Sequence, residues 1–520
     1  MSELTHPPTE TRQPRGRTAG PREWSALAVL MLPVLIIAID NTVLSFALPS
    51  IAESLQPTGT QQLWIIDAYP LVLAGLLVAM GSLGDRIGRR RLLLVGATGF
   101  AAVSVVAAYS QSAEMLIAAR VGLGLFGATL MPATLSLLRN LFTDRSERRL
   151  AIAIWSASIG AGAAMGPVVG GFLLEHFWWG SVFLFAVPLL VPLLLLAPAL
   201  VPESKDPHPA RVDAVSIALS LLALTPIVYA IKDSANGGSW SGTAVPAVIG
   251  ALAVWLFVRR QLRRPDPMFD VRLFTVPAFA GAVVVNLLSI FALVGFLYFV
   301  SQHLQLVVGL GPMQAGLRLV PGILAMIAAG LLAVLLARVL RPAVIISAGM
   351  TLAALGYGTI AVFAEPTAVW PFVIAFAVLG GGIGVAETIS NDMILSTAPP
   401  EKAGAAAAIS ETAYEIGAVT GTSVLGAILL AKYRADVVTP DSAGLDTSAA
   451  SETLGGARTV ADRLPTALAD GLLDSAANAF TGGVVLTSAV AACLMVVAGG
   501  AAWLIMRAIP AGQRDDAGER

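Results

Sequence analysis

The sequence predicts an all-α polytopic membrane protein with fourteen transmembrane helices, and three observations carry that reading. The chain is 56% hydrophobic and only 12% charged, with a mean hydropathy of +0.80. A soluble domain is about 25% charged. The apolar runs are about twenty residues long, the length of a membrane-crossing helix, and do not alternate as barrel strands do. Lys and Arg collect in every second connection. Only helices and closed barrels satisfy their backbone in lipid, so run length decides for helices.

The tail, residues 1–23, is polar and carries Arg12, Arg15, Arg17 and Arg22. The apolar run after it is too long for a cleaved signal peptide and reads as an uncleaved first span. The spans fall at about 25–48, 64–83, 92–109, 114–138, 150–174, 178–199, 213–231, 243–260, 276–304, 314–337, 342–363, 369–396, 404–431 and 480–508. With the tail in the cytoplasm, 25 basic residues lie in cytoplasmic segments and 5 in outer ones, including Lys232. Arg120 and Arg318 lie inside spans. This bias predicts that both termini are cytoplasmic.

A longer basic connection, Arg259 to Thr275, follows the eighth span. It divides the chain into an N-terminal six-helix half at 24–199, a linker at 200–212 and an inserted pair at 213–260. A cytoplasmic linker at 261–275, a C-terminal six-helix half at 276–508 and a tail at 509–520 follow. The outer loop 432–479 interrupts the second half and is expected to hold a small amphipathic hairpin around Leu464 to Leu473. A transporter is expected to carry an internal repeat. Its one trace is the basic turn Arg86–Arg91, with a degenerate counterpart at Arg338–Arg341.

A net charge of −1 points away from nucleic acid. The single Cys493 makes no internal disulfide and reads as a small buried hydrophobe. His303 reads as an interfacial residue at the end of span nine. No HExxH, Walker A lysine loop or Cys/His cluster occurs, which argues against an ATP-driven pump and a metal-dependent enzyme. No metal, cofactor or catalytic residue is expected.

The candidate functional residues are charges where lipid would penalise them. Asp40 sits mid-span in LMLPVLIIAIDNTVLSFALP. A carboxylate there costs ~2.5–3.5 kcal/mol on insertion scales, so other helices must surround it. Glu411 and Glu415 are one turn apart in span thirteen and share a face. Two such carboxylates in low dielectric resist ionising together, which suits proton binding and release and offers a negative site for a lipophilic cation. Tyr414 beside them can supply a π-face. Glu387 lies deep in span twelve and Asp392 near its cytoplasmic end. Asp67, near the outer end of span two, reads as a charge at the mouth or an interfacial carboxylate.

Arg120 in span four needs an acceptor or a cavity. Gly122, Gly124 and Gly127 beside it match GxGxxG, but no strand precedes them, so no dinucleotide site is implied. Gly162, Gly166 and Gly170 in span five fall four apart, a small-residue face for close packing, and Pro167 bends that helix. The string GSLGDRIGRRRL holds Gly81, Asp85, Arg86, Gly88 and Arg89 on the turn between spans two and three. Its arginines anchor the turn inside, and Asp85 can cap a helix or pair with a base.

GSLGDRIGRRRL resembles the loop signature of the major facilitator superfamily. RVGLGLFGA resembles that family's fourth-helix motif, whose arginine, here Arg120, is tied to proton transfer. GAGAAMGPVVGG resembles its antiporter signature, associated with exporters. AIDNTVLSFALPSI and WIIDAYPLVLAGLLVAMGSLGDRIGRRR are similar to the fourteen-span drug:proton antiporters of the quaternary-ammonium and dye efflux (QacA) type. The similarity covers essentially the whole chain in span count and motif order. It implies the major facilitator fold and acids at Glu411 and Glu415 involved in substrate recognition and coupling. Relatives with an acid in the tenth helix have no match here, where that span holds only Arg318.

The expected function is thus proton-driven export of mono- and divalent lipophilic cations by alternating access, without cofactor or enzymatic chemistry. Asp40, Glu411 and Glu415 lead the candidate acids, followed by Asp67 and Glu387. Trp155, Phe296, Tyr298, Tyr414 and Phe46 are the candidate aromatics for flat dyes. The expected setting is the plasma (inner) membrane of a bacterium. The expected partners are the lipid bilayer, cationic drugs and dyes, and protons, with the chain acting as a monomer. The alternative is a same-fold exporter of a lipid or cell-envelope precursor, served by the long outer loop.

Overall fold

In the computed structural model, thirteen helices among the described residues are long and apolar enough to cross a bilayer, and a bent pair, Leu150–Ala163 with Met165–His176, makes fourteen when counted as one crossing. The bend is 44°. Pro167 lies one turn beyond Ala163 and cannot donate to its carbonyl, which opens the helix there. The structure describes residues 18–205, 213–235, 238–265, 267–399, 402–440 and 447–507. Most of the expected N-terminal tail, linker residues 206–212 and the tail 509–520 lie outside them.

The first helices are α1 (Pro21–Leu55), α2 (Gly59–Ile87), α3 (Arg89–Ala108) and α4 (Ala113–Leu141). Then come the bent α5 (Arg145–His176) and a broken sixth crossing, α6 (Ser181–Leu184) with α7 (Ala186–Leu200). Their starts follow local chemistry. Thr58 caps α2 in a reciprocal box with Gln61, and Ser112 caps α4 through the Met115 amide. Within this group α1 packs on α5 and α7, α2 on α4, and α3 on α4 and α7.

The later group is α10 (Pro277–Gln302), α11 (Pro312–Leu336), α12 (Pro342–Phe363), α13 (Trp370–Thr397), α14 (Ala403–Asp436) and α17 (Thr466–Met506). Here α13 packs on α11 and α12, α12 on α17, and α14 on α10 and α17. The groups meet along α2 with α14, α5 with α11 and α1 with α10. Between them in sequence, α8 (Ala214–Ala235) and α9 (Trp240–Arg263) form a pair. α8 lies against both α2 and α14, while most of α9 is exposed on the apolar surface.

Two short helices, α15 (Ser448–Glu452) and α16 (Leu454–Ala461), stand where the long loop was expected. The small helical hairpin expected in this segment falls elsewhere than around Leu464–Leu473: α15 packs on α16, while those residues end a turn and begin α17, which runs 41 residues from Thr466. Three other expectations are corrected. His303 is fully buried, in a π-turn (His303–Val307) that continues α10, with its ring 4.2 Å from that of Phe372. Neighbouring helix ends cover a position that composition alone places at the interface. Cys493 is exposed on the lipid-facing side of α17, because lipid is as apolar as the core and gives a small side chain no drive inward. Lys232 is not in a loop but buried in the last turn of α8.

Asp213 fastens the inserted pair at one end. It accepts from Arg260 Nη2 at 2.9 Å and pairs with Arg264 at 3.1 Å. Hydrogen bonding from Arg260 holds its carboxyl well below the ordinary carboxylate range, more than offsetting the opposing effect of burial. A lowered folded-state value means stability that is present above the unfolded value and lost as pH falls through the folded one. Asp213→Asn is therefore expected to lower the melting temperature at pH 7, with the gap to the parent closing as acid is taken below about pH 4. A gap independent of pH would show that the charge is not what Asp213 contributes.

Candidate functional site

A seam of polar side chains lies where the two helix groups meet. Asp40 on α1 and Arg120 on α4 form a buried ion pair, Nη1 to Oδ2, at 2.6 Å. Arg120 Nε also donates to the Ile65 carbonyl at 3.0 Å, and its guanidinium lies 4.6 Å from the centre of the Tyr69 ring. α2 approaches α4 closely enough for this because Gly124 faces the Tyr69 carbonyl, where a Cβ would come within 2.7 Å. The acceptor that a buried arginine requires is thus supplied by two helices at once.

The residue after Asp40 reaches the other group. Asn41 Nδ2 donates to Glu415 Oε1 at 3.4 Å, and Glu415 on α14 is buried. One turn before it, Glu411 lines a cavity of about 320 Å³ with Trp155, Gly81, Asp85, Arg89 and Arg139. This cavity runs between the basic end of the bundle and Glu411. Glu387 on α13 lies within electrostatic reach of Glu411, and Tyr414 within reach of Glu387, Glu411 and Glu415. Asp392 is exposed.

Other candidates are placed differently. Asp67 is not a charge at the mouth: it is fully buried, 2.8 Å from Lys232 Nζ, and accepts from Ser423 Oγ at 2.6 Å. Phe296 packs inside the second helix group, stacked on Phe376 at 5.1 Å and edge-on to Tyr357. Tyr298 is buried against Gly426. Phe46 is buried in the core. Of the five aromatics, Trp155 lines the cavity and Tyr414 stands among the acids.

The basic turn is built as its spacing suggests, with one partner the sequence does not reveal. Asp85 pairs with Arg89 at 2.7 Å. Gly88 adopts φ +114°, a conformation that favours glycine, and a Cβ there would meet the Glu203 carboxylate at 2.8 Å. Glu203, beyond α7, accepts from the Arg90 and Arg91 amides at 3.0 and 3.2 Å and so caps α3. Arg86 lies in the last turn of α2. No spacing rule links Glu203 to Arg90 across 113 residues. Glu203→Ala removes two charge-assisted bonds at a helix N-terminus. It is expected to cost about 1–2 kcal/mol of stability, read as a lowered melting temperature; an unchanged one would mean water replaces the cap.

The glycines of α5 serve two contacts. Gly162 and Gly170 face Ala38 and Val43 of α1, and Thr42 donates to the Ala163 carbonyl at 3.1 Å. Gly166 faces Thr42. Further along, Gly171 sits under Met313 and Pro167 under Gly316, both on α11. At this end, opposite the basic turn, the groups are pressed together. Arg458 donates to the Leu306 carbonyl at 2.7 Å and Tyr433 to the Ala450 carbonyl at 2.8 Å, laying α15 and α16 over the seam. At this end the two groups meet beneath α15 and α16, while the cavity beside Glu411 lies towards the other.

Comparison with known proteins fits this geometry. Residues 30–422 match the sequence model of the Major Facilitator Superfamily. The chain is 53% identical over 494 residues to the multidrug efflux pump LfrA of Mycolicibacterium smegmatis, covering 94% of this chain and 96% of that one. It is 37% identical to the methyl viologen resistance protein SmvA of Salmonella typhimurium, covering 92% and 97%. It is 31% identical to the tetracenomycin C resistance and export protein of Streptomyces glaucescens, covering 94% and 93%. Among solved structures, a bacterial homologue of the human lysosomal transporter Spinster, in an inward-facing conformation, superposes with a TM-score of 0.64 at 17% identity, covering 94% and 98%.

Proposed function

Because the chain belongs to the major facilitator superfamily, we propose that it is a multidrug efflux transporter of a bacterial inner membrane that exchanges protons for lipophilic cations. The observation that carries this reading is the line of acids from the cavity to the seam, Glu411 to Glu415 to Asp40, held by Arg120 and Asn41. The names of relatives that export drugs or confer methyl viologen resistance support it. The basic end, with Arg86, Arg89, Arg90 and Arg91, lies in the cytoplasm by the positive-inside rule.

In the conformation seen here a cation enters from the cytoplasm past Asp85, Arg89 and Arg139 and reaches Trp155 and Glu411. Glu415, one turn deeper, attracts it towards the seam. Opening at the far end admits protons, which neutralise the acids and remove the charge that held the cation. A proton on Asp40 would remove the charge that Arg120 pairs with at 2.6 Å and so loosen the pair. The freed guanidinium still holds the Ile65 carbonyl and the Tyr69 ring, so it keeps its place and pairs with Asp40 again once the proton has left. Proton and cation thus compete for one set of carboxylates, and no covalent step is needed.

The test is ethidium transport in proteoliposomes with an imposed pH gradient, with and without a protonophore. Gradient-dependent dye movement supports the reading. A folded protein that moves no cation would overturn it and shift the cargo to a lipid or envelope precursor.

A further inference from the structure

Lys232 is the one lysine of this chain buried in a helix crossing, and it comes from the inserted pair. Its ammonium is 2.8 Å from Asp67 and 3.9 Å from the centre of the Trp64 ring. Asp67 and Trp64 belong to α2, while Ser423, which donates to the same carboxylate oxygen, belongs to α14. Beneath them Leu71, Val228 and Val419 close a small apolar core from the same three helices. A carboxylate, an indole face and a hydroxyl, enclosed and dry, are the groups that hold an organic cation. Here the cation is part of the chain.

The position gives this meaning. Asp67 lies about 12 Å along α2 from its start at Gly59, at the end opposite the basic turn. Opening there must part α2 from α14, which breaks the Ser423 bond and the contact of Leu63 with Gly426. It need not part α2 from α8. Ser220 donates to the Gly75 carbonyl at 2.9 Å, and a Cβ on Gly75 would collide with Leu221. The Asp67–Lys232 pair then lines the exit.

We propose that Lys232 is a tethered cation that fills an exit-side cation site built by Trp64, Asp67 and Ser423, so that exported cations pass this point instead of stopping at it. The inserted pair is then a working part of the exporter. This rests on the cation-export reading above. Without Lys232 the same groups would capture cargo: binding tightens while release slows.

The experiment compares the parent with Lys232→Met, measuring ethidium affinity of the purified protein by fluorescence anisotropy and export in proteoliposomes. Lys232→Met is expected to bind ethidium about tenfold more tightly, the order of a desolvated cation–π contact, with a lowered KM and a lowered maximal rate. Adding Asp67→Asn is expected to reverse the tightening. A folded Lys232→Met protein with unchanged affinity and KM overturns the proposal, because a purely structural latch predicts only lost stability. A second measurement uses the unmodified protein: reductive methylation of Lys232, read by mass spectrometry against Lys205, Lys402 and Lys432. It is expected to rise several-fold during gradient-driven turnover. No rise overturns the proposal, since an ammonium that never meets the exit cannot guard it. Parent protein that moves no ethidium overturns the cation-export reading itself, whereas export by the parent with an indifferent variant overturns this inference alone.

Discussion

Replacing Asp40 with Asn is expected to abolish gradient-driven ethidium export, lowering the rate by at least about a hundredfold. The argument is one of charge. Asp40 is buried and directly paired with Arg120 at 2.6 Å. An amide accepts no proton in the working range and cannot switch Arg120 between held and released. Removing one partner of a buried pair costs about 3–5 kcal/mol where the other is left alone. Arg120 is not left alone, because it keeps the Ile65 carbonyl and the Tyr69 ring, so the variant is expected to fold. Dye fluorescence in proteoliposomes reads the rate, and melting temperature reads the fold. Asp40→Asn protein that exports at a tenth of the parent rate or better would remove Asp40 from the coupling path and leave Glu411 and Glu415 to carry it.

Placing a leucine at Gly316 is expected to stop the cycle at a different point. A Cβ there runs into the Pro167 carbonyl, and one on Gly171 would come within 2.7 Å of the Met313 Cα. The obstructing atoms are backbone, which cannot rotate away. Both contacts lie between the two helix groups, so Gly316→Leu denies the closed arrangement at that end while leaving each group intact. The measurement is thiol labelling of Gln62→Cys, buried in this conformation, in a chain whose Cys493 has been replaced by Ser. Labelling from the outer side is expected to rise about tenfold, equivalent to about 1.4 kcal/mol of bias towards the open state, with export falling in step. A reporter that stays unreactive would mean that α5 and α11 do not form the outer closure. Gly162→Leu offers the contrast: its Cβ would meet Ala38 at 2.6 Å inside one group. Its effect is expected as lost thermal stability and not as altered labelling.

The sequence by itself determined the class of fold, the number of crossings and the identity of the acids that need shelter. Each depends on terms local in the chain. A twenty-residue apolar run crosses a bilayer wherever it occurs, and a carboxylate within it carries its penalty whatever its neighbours. Glycines four apart mark a packing face for the same reason. Tertiary structure alone decided which partner meets each charge. Asp67 looked like a mouth residue until Lys232, far along the chain in what read as a loop, was seen against it. Glu203 could not be linked to the α3 amides, nor Asn41 to Glu415, by any periodicity. Phe296 and Cys493 show the same limit from the apolar side. In lipid, hydrophobicity does not distinguish a core-facing position from a bilayer-facing one, so only helix packing sends the phenyl ring inward and the thiol outward.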